Sequence, residues 1–248
     1  MSRKRFGLSQ QHYTELVDEC DAVVHCAASV NWSASYGSVR SSNVDGTCNV
    51  IRFCLEGAPR KCLLMLSSGA AWPEGPASLE WLEDCESPYM ASKLVAESLV
   101  QRFCEDVVVI RPGMVVWHSQ SGRCNPVDAL SRIVRAFVQH SLAWESIGAD
   151  DLLDGINVDT FCACAYSVWL RGGPAVYALR GAFRLEALLS SIGPHVQRVP
   201  YRAWRESMAR QCEEQQEHPL TALLPHLATD QPPLEAAGDD VLSARCRA

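Results

Sequence analysis

Tyr89 and Lys93 stand four residues apart in the run Tyr-Met-Ala-Ser-Lys. On a helix this spacing puts both side chains on one face, a turn apart. A free phenol titrates near pH ~10 and is a poor acid–base group at neutral pH. An ammonium beside it favours the phenolate and lowers that value. Tyr89 can then give a proton to a carbonyl oxygen as hydride arrives, or take one in the reverse direction. Lys93 can also hydrogen-bond the ribose of a bound nicotinamide. Upstream, Ser67-Ser68 offers a hydroxyl that can bond both a substrate carbonyl and the tyrosine oxygen, and Ser68 is the preferred residue of the two. Arg111-Pro112-Gly113 follows a later apolar run. Each feature also has a plain alternative: an ordinary helix-surface pair, a turn-forming serine, a strand terminator.

The elements around these residues decide between the readings. Asp21-Ala-Val-Val-His-Cys-Ala-Ala28 is a short apolar run ending in small residues, which predicts a buried parallel strand whose end lets a ligand approach closely. Residues 38–56 read as a helix stopped by Gly57 and Pro59, and Lys61–Ser67 as a second buried strand. Residues 69–87 form a loop, residues 88–103 a helix opened by Pro88, and Val107–Arg111 a third strand. Ser9 opens a short helix over 8–19. Strand–helix alternation of this kind predicts a parallel sheet with crossover helices, and Ser67-Ser68 and Arg111-Pro112-Gly113 then fall at its ligand-binding edge. Further on, helices are expected over 126–142, 158–170, 184–192, 201–212 and 218–227, and strands at 176–179 and 196–199. Residues 229–248, rich in Pro, Gly, Asp and Ala, read as a disordered tail.

Composition narrows the class of function. The chain has 248 residues, 48% of them hydrophobic, enough for a sizeable core. Its formal net charge of -7, without a basic cluster, disfavours a nucleic-acid partner. Arg3 to Arg5 precedes no apolar stretch, so it is no signal peptide, and no segment is long enough to span a bilayer. The twelve cysteines are scattered without a CxxC pair, and Cys162 and Cys164 have no matching His or Cys pair. No metal site is expected, and the thiols point to a reducing compartment, the cytoplasm.

In order and spacing, the strand, Ser68, the loop, Tyr89/Lys93 and Arg111-Pro112-Gly113 resemble the extended short-chain dehydrogenases. The finer likeness is to their thioester reductase branch, found at the ends of nonribosomal peptide and polyketide assembly lines and in carboxylic acid reductases. It is carried by Gly7-Leu-Ser-Gln, Val24-His-Cys-Ala-Ala28, Val30-Asn-Trp32, Asn43-Val-Asp-Gly-Thr47, His118-Ser-Gln-Ser-Gly122, Asn157-Val-Asp159, His218-Pro-Leu and Leu223-Leu-Pro-His-Leu227. It runs from about residue 6 to about residue 227.

The resemblance implies a catalytic set of Ser68, Tyr89 and Lys93. It places His25, Ala27, Ala28, Asn43, Ser67, Arg111, Pro112 and Gly113, with Tyr89 and Lys93, along the cofactor, NADPH. Asn43 would support the lysine from the helix behind it. The implied activity is reduction of an acyl thioester, held on the phosphopantetheine arm of a carrier domain, to an aldehyde or alcohol. The small acyl group would meet the region from residue 125 on. Two alternatives stand beside it: another extended dehydrogenase, such as a fatty acyl-CoA reductase or hydroxysteroid dehydrogenase, and a non-catalytic remnant that binds a carrier or partner.

One departure is large. The family opens with a strand and a glycine-rich GxxGxxG turn that holds the pyrophosphate, and no such motif occurs in this chain. The expected architecture is therefore α/β: a Rossmann-like parallel sheet lacking its first strands and glycine-rich loop (residues 1–124), then remaining strands with a small, mostly helical substrate lobe (125–228). The strand at Ala22 would be left as a sheet edge. The chain is expected to be an N-terminally truncated form.

Overall fold

In the computed structural model, the described residues are 2–31, 34–69, 76–85, 87–145, 152–215, 217–221 and 223–227. Ser9 starts α1 (Gln10–Glu19) as its side chain accepts from the His12 N–H at 3.2 Å, which satisfies one of the free donors at a helix start. Strand β1 (Ala22–His25) is followed by α2 (Tyr36–Arg40), a π turn (Ser41–Asp45) and α3 (Gly46–Leu55), the long helix expected from sequence with an extra-wide turn inside it. Strand β2 (Cys62–Leu66), helix α4 (Pro88–Phe103) and strand β3 (Val107–Pro112) come next. Proline at the first turn costs α4 no hydrogen bond, and the Ser87 hydroxyl caps it by accepting from the Met90 N–H. The loop before α4 contains a 3₁₀ turn, Leu79–Leu82.

The chain continues through β4 (Met114–Val116), α5 (Ala129–His140), β5 (Leu142–Trp144), β6 (Leu152–Asn157), α6 (Val158–Leu170), β7 (Ala175–Leu179), β8 (Ala182–Arg184), α7 (Leu185–Ile192), β9 (Gln197–Val199) and α8 (Tyr201–Glu214). The principal sheet has the order β1-β2-β3-β7, all parallel, with His25 opposite Met65 and Leu66 opposite Ile110. Its two central strands are covered on both faces, which their runs of Leu, Met, Val and Ile require. Among the described residues β1 has one neighbour, β2, and Val24 is 52% exposed, so β1 is an edge. Leu63, Met65, Val107 and Val109 pack against Val50, Ile51 and Cys54 of α3 and Ala96 and Val100 of α4.

The chain divides into two compact units, Met1–Pro112 with Cys162–Leu179, and Gly113–Phe161 with the chain from Arg180 on. The sequence reading placed boundaries after residues 124 and 228; in the structure β7 returns to pair with β3 and so carries a later segment into the first unit. The second unit is mostly helical, through α5, α7 and α8, but carries more strands than expected. It holds a three-stranded sheet β4-β6-β8 and the parallel pair β5-β9, of which only β9 was foreseen. Its core is aromatic: Phe137, Trp144, Tyr201 and Trp204 lie with ring centroids 4.7 to 5.9 Å apart. Among the described residues of 218–227, where a helix was expected, the helical part is a 3₁₀ turn at Leu224–Leu227, because proline cannot supply the N–H that a helix interior needs. The tail over 229–248 lies outside the described residues.

Asp128 caps α5, accepting from Ser131 through both its backbone N–H (2.9 Å) and its hydroxyl (2.6 Å). Asp128→Ala should lower the stability of the chain by about 1 kcal/mol, read as a shift in urea midpoint at unchanged slope.

Candidate active site and relatives

Helix α4 brings the two principal residues together inside the first unit. Tyr89 and Lys93 are 7% and 4% exposed, so neither is a surface residue. The Ser68 hydroxyl, just beyond β2, hydrogen-bonds the Tyr89 side chain. Lys93 reaches over the end of β2 and donates from Nζ to the Leu66 carbonyl at 2.6 Å, leaving its other two N–H groups to serve other partners. Ser67 continues the ladder through its N–H to Ile110 O at 2.7 Å, and Gly69 N–H donates to Pro112 O at 2.8 Å, which pins the serine turn beside β3.

Electrostatics depart from the sequence expectation in one respect. Burial raises the Tyr89 phenol above its ordinary value, and the Ser68 hydrogen bond only partly opposes this. The residue therefore holds its proton at neutral pH, as a proton donor must. Lys93 is lowered to about 8, first by burial, with Glu97 and Cys26 opposing. His25 is lowered to about 4 by burial and by the Lys93 charge. It is neutral at physiological pH.

The other expected residues fall in distinct places. His25 ends β1, buried, with Ala27 exposed and Ala28 half-buried just beyond it. Asn43 sits in the π turn, a local widening often found at functional sites. Its Oδ1 accepts from the Ser29 N–H at 2.7 Å, and its Nδ2 donates to Ser29 O at 3.1 Å and to Ser92 Oγ at 2.9 Å. Ser92 in turn donates to Tyr89 O at 2.7 Å. Asn43 thus braces the segment after β1 against the turn that carries Tyr89, rather than contacting Lys93. Arg111 ends the third strand with its guanidinium buried on the Glu97 carboxylate, with Nε to Oε1 and Oε2 at 3.0 and 3.2 Å. Pro112 closes the first unit and Gly113 opens the second, where a Cβ would run into the Asp154 carboxylate.

Sequence reasoning missed Ser92, Thr47 and Glu97. Glu97 could have been found by its spacing of four from Lys93. Two motifs noted separately are joined in the second unit: Ser119 donates to Asp159 from its N–H (2.9 Å) and hydroxyl (2.5 Å), and Asn157 Nδ2 donates to Trp117 O at 2.8 Å. Among the described residues no group of three His, Cys, Asp or Glu side chains could hold a metal ion, and no helix is long and apolar enough to cross a membrane.

Residues 1–165 match the NAD-binding family described as male sterility protein. The chain belongs to this family. Its curated relatives include the aldehyde reductase lnaA of Aspergillus flavus, 32% identical over 147 residues, which cover 52% of the chain and 14% of that protein. The L-2-aminoadipate reductase large subunit of Eremothecium gossypii is 27% identical over 94% of the chain and 19% of its own length. The chain thus spans less than a fifth of the curated relatives it matches. Among solved structures, the terminal R domain from the myxalamid PKS-NRPS biosynthetic pathway superposes with a TM-score of 0.80 at 25% identity, covering 98% of this chain and 67% of that one. In sequence and fold the chain stands with the terminal reductase domains of nonribosomal peptide and polyketide synthases.

A nicotinamide cofactor fits what the first unit offers. His25 Nδ1 and Ser67 Oγ are buried and have no hydrogen-bond partner among the described residues, and both end strands beside Lys93. Unsatisfied buried polar atoms are rare in folded proteins, and at a sheet's carboxyl edge they are the groups a ligand would satisfy.

Proposed function

We propose that this chain belongs to an NADPH-dependent reductase that converts an acyl thioester, carried on the phosphopantetheine arm of a carrier domain, to an aldehyde. The observation that carries the reading is the Ser68–Tyr89 hydrogen bond, with Lys93 one turn along the same buried helix face. The cofactor, when bound, supplies hydride to the thioester carbonyl carbon. Ser68 and Tyr89 would hold the carbonyl oxygen, and Tyr89 would give it a proton as negative charge develops there. Collapse of the resulting hemithioacetal breaks the carbon–sulfur bond, returns the thiol to the carrier and frees the aldehyde. Lys93 would hold the ribose, and Ala27 and Ala28 would let the cofactor lie close to the end of β1. Ser67 and His25 would line the same edge, Asn43 would brace it, and Arg111 would act through Glu97. The second unit would contribute the substrate lobe, and the reaction would run in the cytoplasm.

The first test is a titration of the chain with NADPH, followed by fluorescence, with Lys93→Ala as control. Saturable binding that the variant loses supports the reading, and no binding by folded protein removes it. Because Lys93 is held at about 8, affinity should fall as pH rises through that value, when the ammonium is lost, and the fall should vanish in Lys93→Met. Turnover of carrier-bound acyl chains, acyl-CoA and sterols then separates the substrate classes. Turnover of sterols alone would exclude the thioester.

A further inference from the structure

His25 is more than a lining residue, because its neighbours fix which of its nitrogens bears the proton. Thr47 Oγ1 lies 2.5 Å from Asn43 O, a contact that is attractive only with the hydroxyl proton between the two oxygens. Thr47 has then no proton left for His25, whose Nε2 lies 2.9 Å from the same Oγ1. Nε2 must donate and Thr47 must accept. A neutral imidazole carries one proton, so Nδ1 is a bare lone pair. That atom is buried and has no donor among the described residues. The Thr47 bond is the contact a helical threonine commonly makes with the carbonyl four residues back, and the Asn43 amide ties the same turn to Ser92 and so to the Tyr89 carbonyl.

Register shows where this acceptor stands. His25 is the partner of Met65, so His25, Met65 and Ser67 lie on one face of the sheet. Met65 packs with Ala96 and Val100 of α4, the helix whose Lys93 carries its charge close enough to His25 to depress its titration. The acceptor therefore sits at the ligand edge, on the side of the sheet covered by the helix that carries Tyr89 and Lys93.

We propose that His25 Nδ1 accepts a hydrogen bond from a ribose hydroxyl of the nicotinamide cofactor, with the Thr47 hydroxyl fixing the tautomer that makes this possible. The proposal rests on the nicotinamide reading and gives His25 a defined role within it. An imidazole left free to change tautomer would present a donor to the hydroxyl half of the time and lose the fit.

The test is nitrogen NMR of the full chain labelled at histidine, with and without saturating NADP⁺, while fluorescence reports binding independently. In the free protein His25 should show a protonated Nε2 and an unprotonated Nδ1 that accepts nothing. Adding NADP⁺ should move the Nδ1 resonance in the direction of an accepted hydrogen bond. Thr47→Val should mix the tautomers and weaken NADP⁺ about tenfold, and Thr47→Ser should restore both. A protonated Nδ1 in the free protein overturns the proposal, as does an Nδ1 that already accepts from water without cofactor. So does an unmoved resonance in protein that fluorescence shows to be saturated, which leaves the nicotinamide reading standing. Absence of any NADP⁺ binding defeats both.

Discussion

Tyr89→Phe is expected to lower kcat by about a hundredfold to ten-thousandfold, the range measured when a positioned general acid is lost, while the affinity for NADPH changes little. The split matters because the two functions of α4 are carried by different residues. Lys93 would hold the cofactor, and Tyr89 would act only as charge develops on the carbonyl oxygen. Burial holds the phenol above its ordinary value and Ser68 only partly opposes it, so Tyr89 keeps its proton through neutral pH. The rate should therefore be flat near neutrality. It should fall as pH rises through about 8, where Lys93 loses its charge, and again above the ordinary range of a phenol. Ser68→Ala should remove one donor to the oxygen and release part of the restraint on Tyr89. Single-turnover rates at subsaturating cofactor give the first limb, and rates at saturating cofactor give the second. Undiminished chemistry in Tyr89→Phe would sink the assignment and favour a chain that only binds its partner.

The second large effect is on stability. Glu97 is fully buried and Arg111 is 4% exposed, and they meet through two or more short hydrogen bonds. Glu97→Ala would leave a guanidinium buried without its counter-charge, at a cost of about 3 to 5 kcal/mol. The double variant Glu97→Leu with Arg111→Met should recover most of that loss, because two apolar groups of similar size need no partner. Urea denaturation of the single and double variants measures both. A single variant as stable as the parent would show that the pair is dispensable. Glu97 has a second consequence, since its carboxylate supports the charged form of Lys93 one turn away. Removing it should move the pH limb of cofactor binding below about 8, provided the variant folds.

How much of this was legible follows from the range of the interactions. The strands at 22–25, 62–66 and 107–112 and helix α4 announce themselves by unbroken apolar runs, a capping serine and a proline, all local signals. Spacing alone placed Tyr89 and Lys93 on one face, and the serine turn fell where a parallel strand must end. Strands β4, β5, β6 and β8 were missed because most are only three residues long and owe their pairing to distant segments. The ion pair of Arg111 was out of reach for the same reason: nothing local shows that its partner lies on α4. The contact between His25 and Thr47 was beyond reach, because it joins residues 22 apart in sequence that only the packing of α3 on β1 brings together. The apolar residues of 218–227 have helical spacing, but Pro225 forbids the helix and His218 instead folds back to accept the Leu220 N–H at 3.1 Å.

The clasp between Trp117–Ser119 and Asn157–Asp159 has a consequence for how the chain tolerates change. Its two halves are forty residues apart, so everything between them leaves and returns to a single anchored point. Doubling the length of such an excursion costs only about 0.6 kcal/mol in closure entropy. The pairing of β4 with β6 is set at the anchor, so it does not depend on how long the excursion is. Within that stretch Phe137 and Trp144 belong to the core and β5 pairs with β9, so the part free to be lengthened or trimmed is the exposed turn over 120–127, next to the anchor, while β4 and β6 keep their register.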